Sequence, residues 1–140
     1  MRTLWQMIAL LAWALWLGGL ITTFIFVLAL FHEDHALAAQ TAPRLFHVFE
    51  RYQLILAGAA LGSAILWRRR ALSVLFFLAA IGAVVSPLIV TPRIMDLQQQ
   101  GLTHTEQFAQ LHGESMMIYT ADSAILLGAV FLLTRAIKKP

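Results

Sequence analysis

One acidic residue lies where an acid is costly. Asp122 falls inside the last apolar run of the chain, and His112, Ser115 and Tyr119 precede it at intervals that place all four on one helical face. If that apolar run spans a membrane, an ionisable side chain in its interior costs roughly 2.5–3.5 kcal/mol of insertion free energy. Either Asp122 serves a polar cavity as a proton acceptor or ion ligand, or it joins an interhelical hydrogen-bond network with Arg93, Tyr119 or a carbonyl.

Two neighbours extend this candidate site. Arg93 follows a proline and is expected to end the third apolar run, where it either pairs with an acid or binds an anion or lipid headgroup. Glu114 lies beside the helical face near the predicted interface. The predicted ligand or ion cavity therefore has six members: Arg93, His112, Glu114, Ser115, Tyr119 and Asp122.

Histidines offer a second kind of chemistry. His112 could hold a metal or haem together with His47 or His35, or it could make a structural hydrogen bond. His112 and Glu114 are two residues apart and therefore point to different faces of a helix. No histidine falls in the middle of an apolar run, which argues against a haem buried between helices. The chain has no cysteine, so no thiolate can bind a metal or act as a nucleophile.

Two pairs of glycines indicate close helix packing. Gly18 and Gly19 form a small patch in the first run, and Gly58 and Gly62 have the Gly-x-x-x-Gly spacing. Both pairs are interpreted as contact surfaces, within the chain or in a homodimer.

The composition indicates the environment of the helices that carry these residues. Hydrophobic residues make up 60% of the 140 residues and charged residues 12%, whereas a soluble chain averages roughly 45–50% and 25%. A soluble protein this small could not bury so much apolar surface. The basic residues flank apolar runs instead of forming a nucleic-acid patch, so the expected partner is the lipid bilayer, with a partner membrane protein or homodimer as a further option.

The apolar runs predict an all-α integral membrane four-helix bundle, a single membrane domain over residues 1–140. Its predicted spans cover residues 4–31, 45–67, 71–91 and 115–134. The first run is about twice as long as the roughly 7–15 residues of a signal peptide, so we expect it to remain as a span. Pro43 is expected in the first turn of the second helix. Ser86 and Pro87 predict a kink in the third.

The charge distribution predicts the orientation. Seven of the ten basic residues lie at the end that holds both termini and the turn at residues 68–70. The positive-inside rule therefore predicts cytoplasmic termini in a bacterial inner membrane. All five histidines and six of the seven acids fall in the two outer segments, so the chemistry is expected at the outer face.

Four sequence elements resemble the domain of unknown function 4149, a transmembrane-protein-205-like family of four-helix membrane proteins. The elements are Leu15-Trp16-Leu17-Gly18-Gly19-Leu20, Leu30-Phe31, Thr91-Pro92-Arg93-Ile94 and Phe108-x-x-Leu111-His112-Gly113-x-Ser115. The resemblance implies a fold and a membrane location, and it implies no reaction. A weaker likeness to membrane proteins of haem biosynthesis and copper resistance lacks the histidines that those proteins place in their helices.

The sequence thus favours a non-enzymatic binding or accessory protein with a polar cavity that opens to the outer face, and no resident cofactor. One alternative is a metal- or haem-binding protein, either a redox enzyme or a metal handler, that uses the outer histidines. A second is a small proton-coupled transporter subunit in which Asp122 carries the proton.

The orientation can be tested by reporter fusion. Alkaline phosphatase fused to the C-terminus is expected to stay inactive, because both termini are predicted to be cytoplasmic and this enzyme matures only outside the cytoplasm. A fluorescent protein at the same position should be bright. An active phosphatase fusion with a dark fluorescent fusion would contradict the orientation.

Overall fold

The computed structural model describes residues 1–138, and only the backbone of residues 35, 36, 39, 40, 137 and 138. The described chain is helical almost throughout. Its four helices are α1 (Arg2–Glu33), α2 (His35–Leu66), α3 (Arg70–Gln99) and α4 (Glu106–Lys138). Helix α3 consists of an α-helix (Arg70–Val85), a π-helical turn (Ser86–Val90) and a second α-helix (Thr91–Gln99).

A single residue separates α1 from α2. The backbone of Asp34 is extended, which stops α1, and its side-chain Oδ1 accepts a hydrogen bond from the backbone N–H of Leu37 at 3.0 Å. Asp34 is therefore the N-cap of α2. The helix begins at His35, and Pro43 lies inside it. The expectation that Pro43 occupies the first turn was wrong, because the cap at Asp34 starts the helix two turns earlier.

The turn between α2 and α3 makes the antiparallel hairpin that the sequence predicts. Arg68 adopts a left-handed backbone conformation, and two bonds characteristic of a helix C-terminus close the turn, Arg68 N–H to Ile65 C=O and Arg69 N–H to Ala64 C=O. The Arg69 guanidinium also donates to the carbonyl of Ala136 at 2.9 Å. The turn and the end of α4 therefore lie at the same end of the molecule.

The four helices form an antiparallel ring, in which α1 and α3 each pack against both α2 and α4. The Trp13 indole donates to the Leu126 carbonyl at 2.7 Å, and the rings of Phe24 and Tyr119 meet edge to face. These contacts fix the register between α1 and α4. Alanines line much of the core, which lets the helix backbones approach closely.

Helix α3 continues well past the position where the sequence predicts its end. Pro92 was expected to turn Thr91 away from helical geometry, and Arg93 was expected to end the helix. Both expectations were wrong, since Thr91 is helical and α3 ends at Gln99. The π-helical turn explains why the helix continues. The turn begins at Ser86, includes Pro87, and is followed directly by the next helical segment.

Three helices are long and apolar enough to cross a membrane, judged by length and composition within the described residues: Arg2–Glu33, Arg70–Gln99 and Glu106–Ala136. Helix α2 has the length but carries more polar residues. The outward surface of the bundle exposes large apolar side chains on all four helices, among them Ile25, Ile55, Phe77 and Phe131. This surface matches what a bilayer requires and differs from that of a soluble bundle.

The predicted glycine contacts divide between the core and the surface. A Cβ added to Gly19 would overlap the ring of Phe49, at 2.6 Å from Cε2, so this glycine lets α1 and α2 meet. Added Cβ atoms at Gly18, Gly58 and Gly62 would have no neighbour within 4 Å. Those three do not bring helices together within the chain, and their use in a homodimer stays a prediction.

Adjacent glycines provide a matched test of this packing. Gly19→Ala is expected to destabilise the detergent-purified protein by about 1–3 kcal/mol, because the buried Phe49 ring must move. Gly18→Ala should be neutral or should stabilise by up to about 1 kcal/mol, because alanine favours the helix and meets open space. Thermal unfolding measures both. Equal effects of the two substitutions would contradict the packing described here.

Candidate functional site

A buried acid lies at the centre of the bundle. Glu50, halfway along α2, has no exposed surface. Its Oε1 accepts three hydrogen bonds, from the hydroxyls of Ser86 at 2.6 Å, Thr91 at 2.6 Å and Tyr119 at 2.7 Å. Two of these donors come from α3 and one from α4. The carboxylate therefore ties three helices together at one oxygen atom.

The π-helical turn explains how α3 supplies two donors. Ser86 and Thr91 are five residues apart, which in a regular α-helix would separate their side chains by about 140° around the axis. Here the backbone N–H of Thr91 bonds to the carbonyl of Ser86, the five-residue spacing of a π-helix. The wider turn brings both hydroxyls to the same side, facing Glu50.

Aromatic rings hold the third donor in place. Tyr119 is buried and stacks on Phe46, with ring centroids 5.4 Å apart, while Phe24 meets it edge to face at 6.5 Å. The Ser86 hydroxyl lies 3.3 Å from the Tyr119 hydroxyl. These contacts leave the phenol little freedom other than to donate to Glu50. We call Glu50 and its three donors the Glu50 layer.

A second polar layer lies one helical turn further from the Asp34 end. Gln53 follows Glu50 by one turn, Asp122 follows Tyr119 by one turn, and Gly82 precedes Ser86 by one turn on the antiparallel helix. Asp122 contacts Gly82 so closely that an added Cβ would overlap its carboxylate. The glycine therefore makes room for the acid against the backbone of α3.

This second layer holds polar atoms without a hydrogen-bond partner in the protein. Gln53 is fully buried and neither its Oε1 nor its Nε2 is bonded, and Oδ2 of Asp122 is likewise unbonded. The contact of Gly19 with Phe49 sets the register of α1 and places Trp16 at the same level. The Trp16 indole N–H is also buried and unbonded. We call Trp16, Gln53, Gly82 and Asp122 the Gln53 layer.

The two layers bury two acidic side chains, and no basic side chain is buried beside them among the described residues. Glu50 and Asp122 are the charged residues among the buried side chains that the structure describes, and both are acids. In addition, Oε2 of Glu50 has no hydrogen-bond partner. Burying an uncompensated carboxylate costs several kcal/mol. Each acid therefore requires either a bound proton or a positively charged group that its oxygen atoms would contact.

The two ends of the core differ in polarity. Towards the end that holds the chain termini, the core is mainly apolar, with residues such as Leu72, Phe76, Leu126 and Leu133, and the buried Ser63 there donates to the carbonyl of Ala60. Towards the other end, a groove of about 310 Å³ between α2 and α3 reaches Thr91. Its lining comprises His47, Pro87, Thr91, Pro92, Met95, Asp96 and Gln99, and we call it the α2–α3 groove.

A larger groove lies elsewhere on the surface and contacts neither buried acid. It measures about 510 Å³ and runs over α1 and α2, where its lining is apolar apart from Thr23, Arg51 and the Tyr52 hydroxyl. Its position on the outward face of the bundle suits a hydrocarbon chain. The chemistry of the two polar layers therefore concerns the smaller α2–α3 groove.

The six residues of the cavity that the sequence predicts do not all lie together in the structure. Tyr119 and Asp122 are buried in the two polar layers. Ser115 and Glu114 are half-buried, and Glu114 accepts a hydrogen bond from Gln110 at 3.1 Å. His112 is exposed and stacks on Phe108. Arg93 is exposed as well.

The predicted histidine ligands are not part of the two polar layers, although His47 lines the α2–α3 groove. His47 is half-buried beside Arg51, with 3.1 Å between Nε2 and the guanidinium Nη2. His112 lies on the exposed side of α4, and the side chain of His35 is outside the described residues. Within the described part of the chain, no three His, Cys, Asp or Glu residues are grouped so that they could hold a metal ion.

Sequence reasoning missed Glu50, Gln53, Ser86 and Thr91 as parts of one site. It counted Glu50 among the six acids of the outer segments and interpreted Ser86 as part of a kink. Two signals in the sequence indicate the arrangement. Glu50 and Gln53 begin a stripe of small residues at helical spacing, and a Ser-Pro pair is followed five residues later by a Thr-Pro pair.

Comparison with known proteins identifies a family without an assigned activity. A family model described as Domain of unknown function (DUF4149) matches residues 11–103. The match includes Glu50 and both hydroxyl donors of α3, whereas Tyr119 and Asp122 lie beyond it. No curated protein and no solved structure matches the chain. The wider transmembrane-protein-205-like likeness stays a prediction.

The role of Tyr119 can be separated from general packing. Tyr119→Phe keeps the ring and removes one donor to Glu50, so we expect a loss of about 1.5–3 kcal/mol in the free energy of unfolding. Tyr52→Phe is the matched control, because the Tyr52 side chain is half-exposed. Denaturant titration in mixed micelles measures both. A Tyr119→Phe protein as stable as the control would show that the hydrogen bond is unimportant.

Proposed function

The chain belongs to the family of domain of unknown function 4149, and we propose that it is an integral membrane protein that binds a small hard cation in the core of a four-helix bundle. The role is binding, without chemical turnover. The observation that carries this proposal is the pair of buried carboxylates, Glu50 and Asp122, which have no buried base beside them among the described side chains.

Membrane insertion of all four helices is supported by where α2 directs its polar groups. Glu50 and Gln53 are fully buried, while Val48, Leu54 and Ile55 at the same level of the helix are exposed. Two of the polar residues that lower the hydropathy of α2 thus face the interior, and after the exposed Arg51 and Tyr52 the outward face of the helix is apolar from Leu54 to Leu66. The concentration of basic residues at the end with both termini supports a cytoplasmic location for that end.

Oxygen chemistry supports a hard cation. The unbonded acceptors are Oε2 of Glu50, Oε1 of Gln53 and Oδ2 of Asp122. Carboxylate and amide oxygens are the ligands that sodium-like, calcium and magnesium ions use, whereas softer transition metals favour imidazole and thiolate. Of the histidines that could supply imidazole, His112 is exposed, and His47 lines the α2–α3 groove beside Arg51 and is not part of either layer. A hard cation therefore fits the core better than the haem or transition metal of the alternative interpretation.

The one-sided polarity of the core supports binding over passage through the bundle. A transporter needs a polar route to both faces at some stage of its cycle. Here Leu126, Leu133 and Phe76 close the core beyond Asp122. An ion that arrives from the α2–α3 groove meets the two acids and then a wall of apolar side chains. A proton-coupled transporter would need a large rearrangement of these helices.

Cation-dependent stability tests this proposal. Detergent-purified protein is unfolded thermally in choline chloride and then in lithium, sodium, potassium, magnesium or calcium chloride at equal ionic strength and pH. One cation is expected to raise Tm, since a ligand at a hundred times its Kd stabilises the fold by about 2.7 kcal/mol. Glu50→Gln should abolish the shift, because it removes the charge and keeps the size.

The control for this experiment is an exposed acid. Glu106 begins α4 at the surface, and Glu106→Gln should preserve the full shift. A wild-type protein whose Tm is the same in all six salts would refute the proposal. So would a Glu50→Gln protein that keeps the response of the wild type.

A further inference from the structure

The α2–α3 groove differs from the rest of the outward surface in its polarity. Asp96, Gln99 and His47 line it together with Thr91, while the neighbouring faces of α3 expose Leu88 and Ile89. Pro87 and Pro92 also line it, and neither has a backbone N–H to donate. The polar groups of the walls are therefore those of Asp96, Gln99, His47 and Thr91, of which the Asp96 carboxylate suits a cation.

Thr91 connects this groove to the buried site. The half-buried Thr91 side chain lines the groove, and its hydroxyl donates to Oε1 of the fully buried Glu50 at 2.6 Å. One threonine side chain thus separates the groove from the carboxylate. Rotation about χ1 of Thr91 would move this hydroxyl away from Oε1 without any movement of a helix.

Charge at the mouth of the groove favours the same species. Asp96 is exposed one helical turn beyond Pro92, and Gln100 donates to its Oδ2 at 2.9 Å. On the facing helix, Arg51 is engaged by the imidazole of His47 and lines the other groove. The exposed Arg44 and Arg93 do not belong to the lining of the α2–α3 groove, so the charged side chain in that lining is Asp96.

We propose that the α2–α3 groove is the access route by which a small hard cation reaches Glu50, with Asp96 attracting the ion at the mouth and Thr91 positioned as the last side chain before the carboxylate. This inference rests on the proposed cation site and adds the direction from which the cation enters it. The site loads from the end of the bundle that carries the Asp34 turn.

Single cysteines test the route, because the natural chain has none. Met95→Cys places a thiol in the groove, and Leu88→Cys places one on the outward face of the same helix, where the native side chain is 68% exposed. In liposomes, a charged methanethiosulfonate reagent reacts only with thiols in contact with water. We expect Met95→Cys to react at least about tenfold faster than Leu88→Cys.

The second readout is the cation response itself. Unmodified Met95→Cys should keep the cation-induced rise in Tm, and modification with the ethylammonium reagent should abolish it, because a fixed positive charge then occupies the groove. Gln99→Cys, at the mouth, provides a second variant should Met95→Cys fold poorly. Modification of Leu88→Cys in detergent should leave the response unchanged.

The outcomes separate the two proposals. Equal reaction rates of the groove and surface cysteines would overturn the access route. The same holds if both groove variants, once modified, retain the full rise in Tm. In either of those results the buried site survives as long as Glu50→Gln abolishes the response. A wild-type protein without any cation response removes the site and its access route together.

Discussion

The need to satisfy one buried carboxylate shapes the middle of this bundle. Glu50 lies in a helix whose neighbours present apolar surfaces to the outside, so its hydrogen-bond donors must come from within the protein. Helix α3 supplies two of them by widening into a π-helical turn, and α4 supplies the third through a tyrosine held by two aromatic rings. The register of three helices is thereby fixed at a single oxygen atom.

The second acid is accommodated by removing a side chain instead of adding donors. Gly82 lets Asp122 lie against the backbone of α3, and beyond this level the core becomes apolar and rich in alanine. The two halves of the bundle consequently differ in kind. One half is close-packed and mainly apolar, and the other encloses two buried acids and an unbonded amide, that of Gln53. This asymmetry underlies the proposal that a cation loads from one end.

Much of the fold follows from local sequence, whereas the site depends on contacts between distant residues. Apolar runs indicate α1, α3 and α4, and helical spacing brings out Tyr119 and Asp122. The sequence does not indicate that Glu50 is a core residue, because its neighbours Arg51 and His47 are typical of a segment at the membrane–water interface. Its partners lie 36 to 69 residues away in the sequence. The rules for proline failed at Pro43, where tertiary packing and the cap at Asp34 override a local preference.

The π-helical turn links the geometry of the site to the groove beside it. Ser86 and Thr91 reach Glu50 together only while the turn keeps its five-residue hydrogen bond. Reversion to a regular α-helix would rotate one hydroxyl away by about 140°, and Glu50 would lose a donor on the side that faces the groove. A cation at Oε2 of Glu50 would then compensate for that loss. The proposed cation site would therefore be energetically coupled to the shape of α3, through the same threonine that lines the α2–α3 groove and bonds to Glu50.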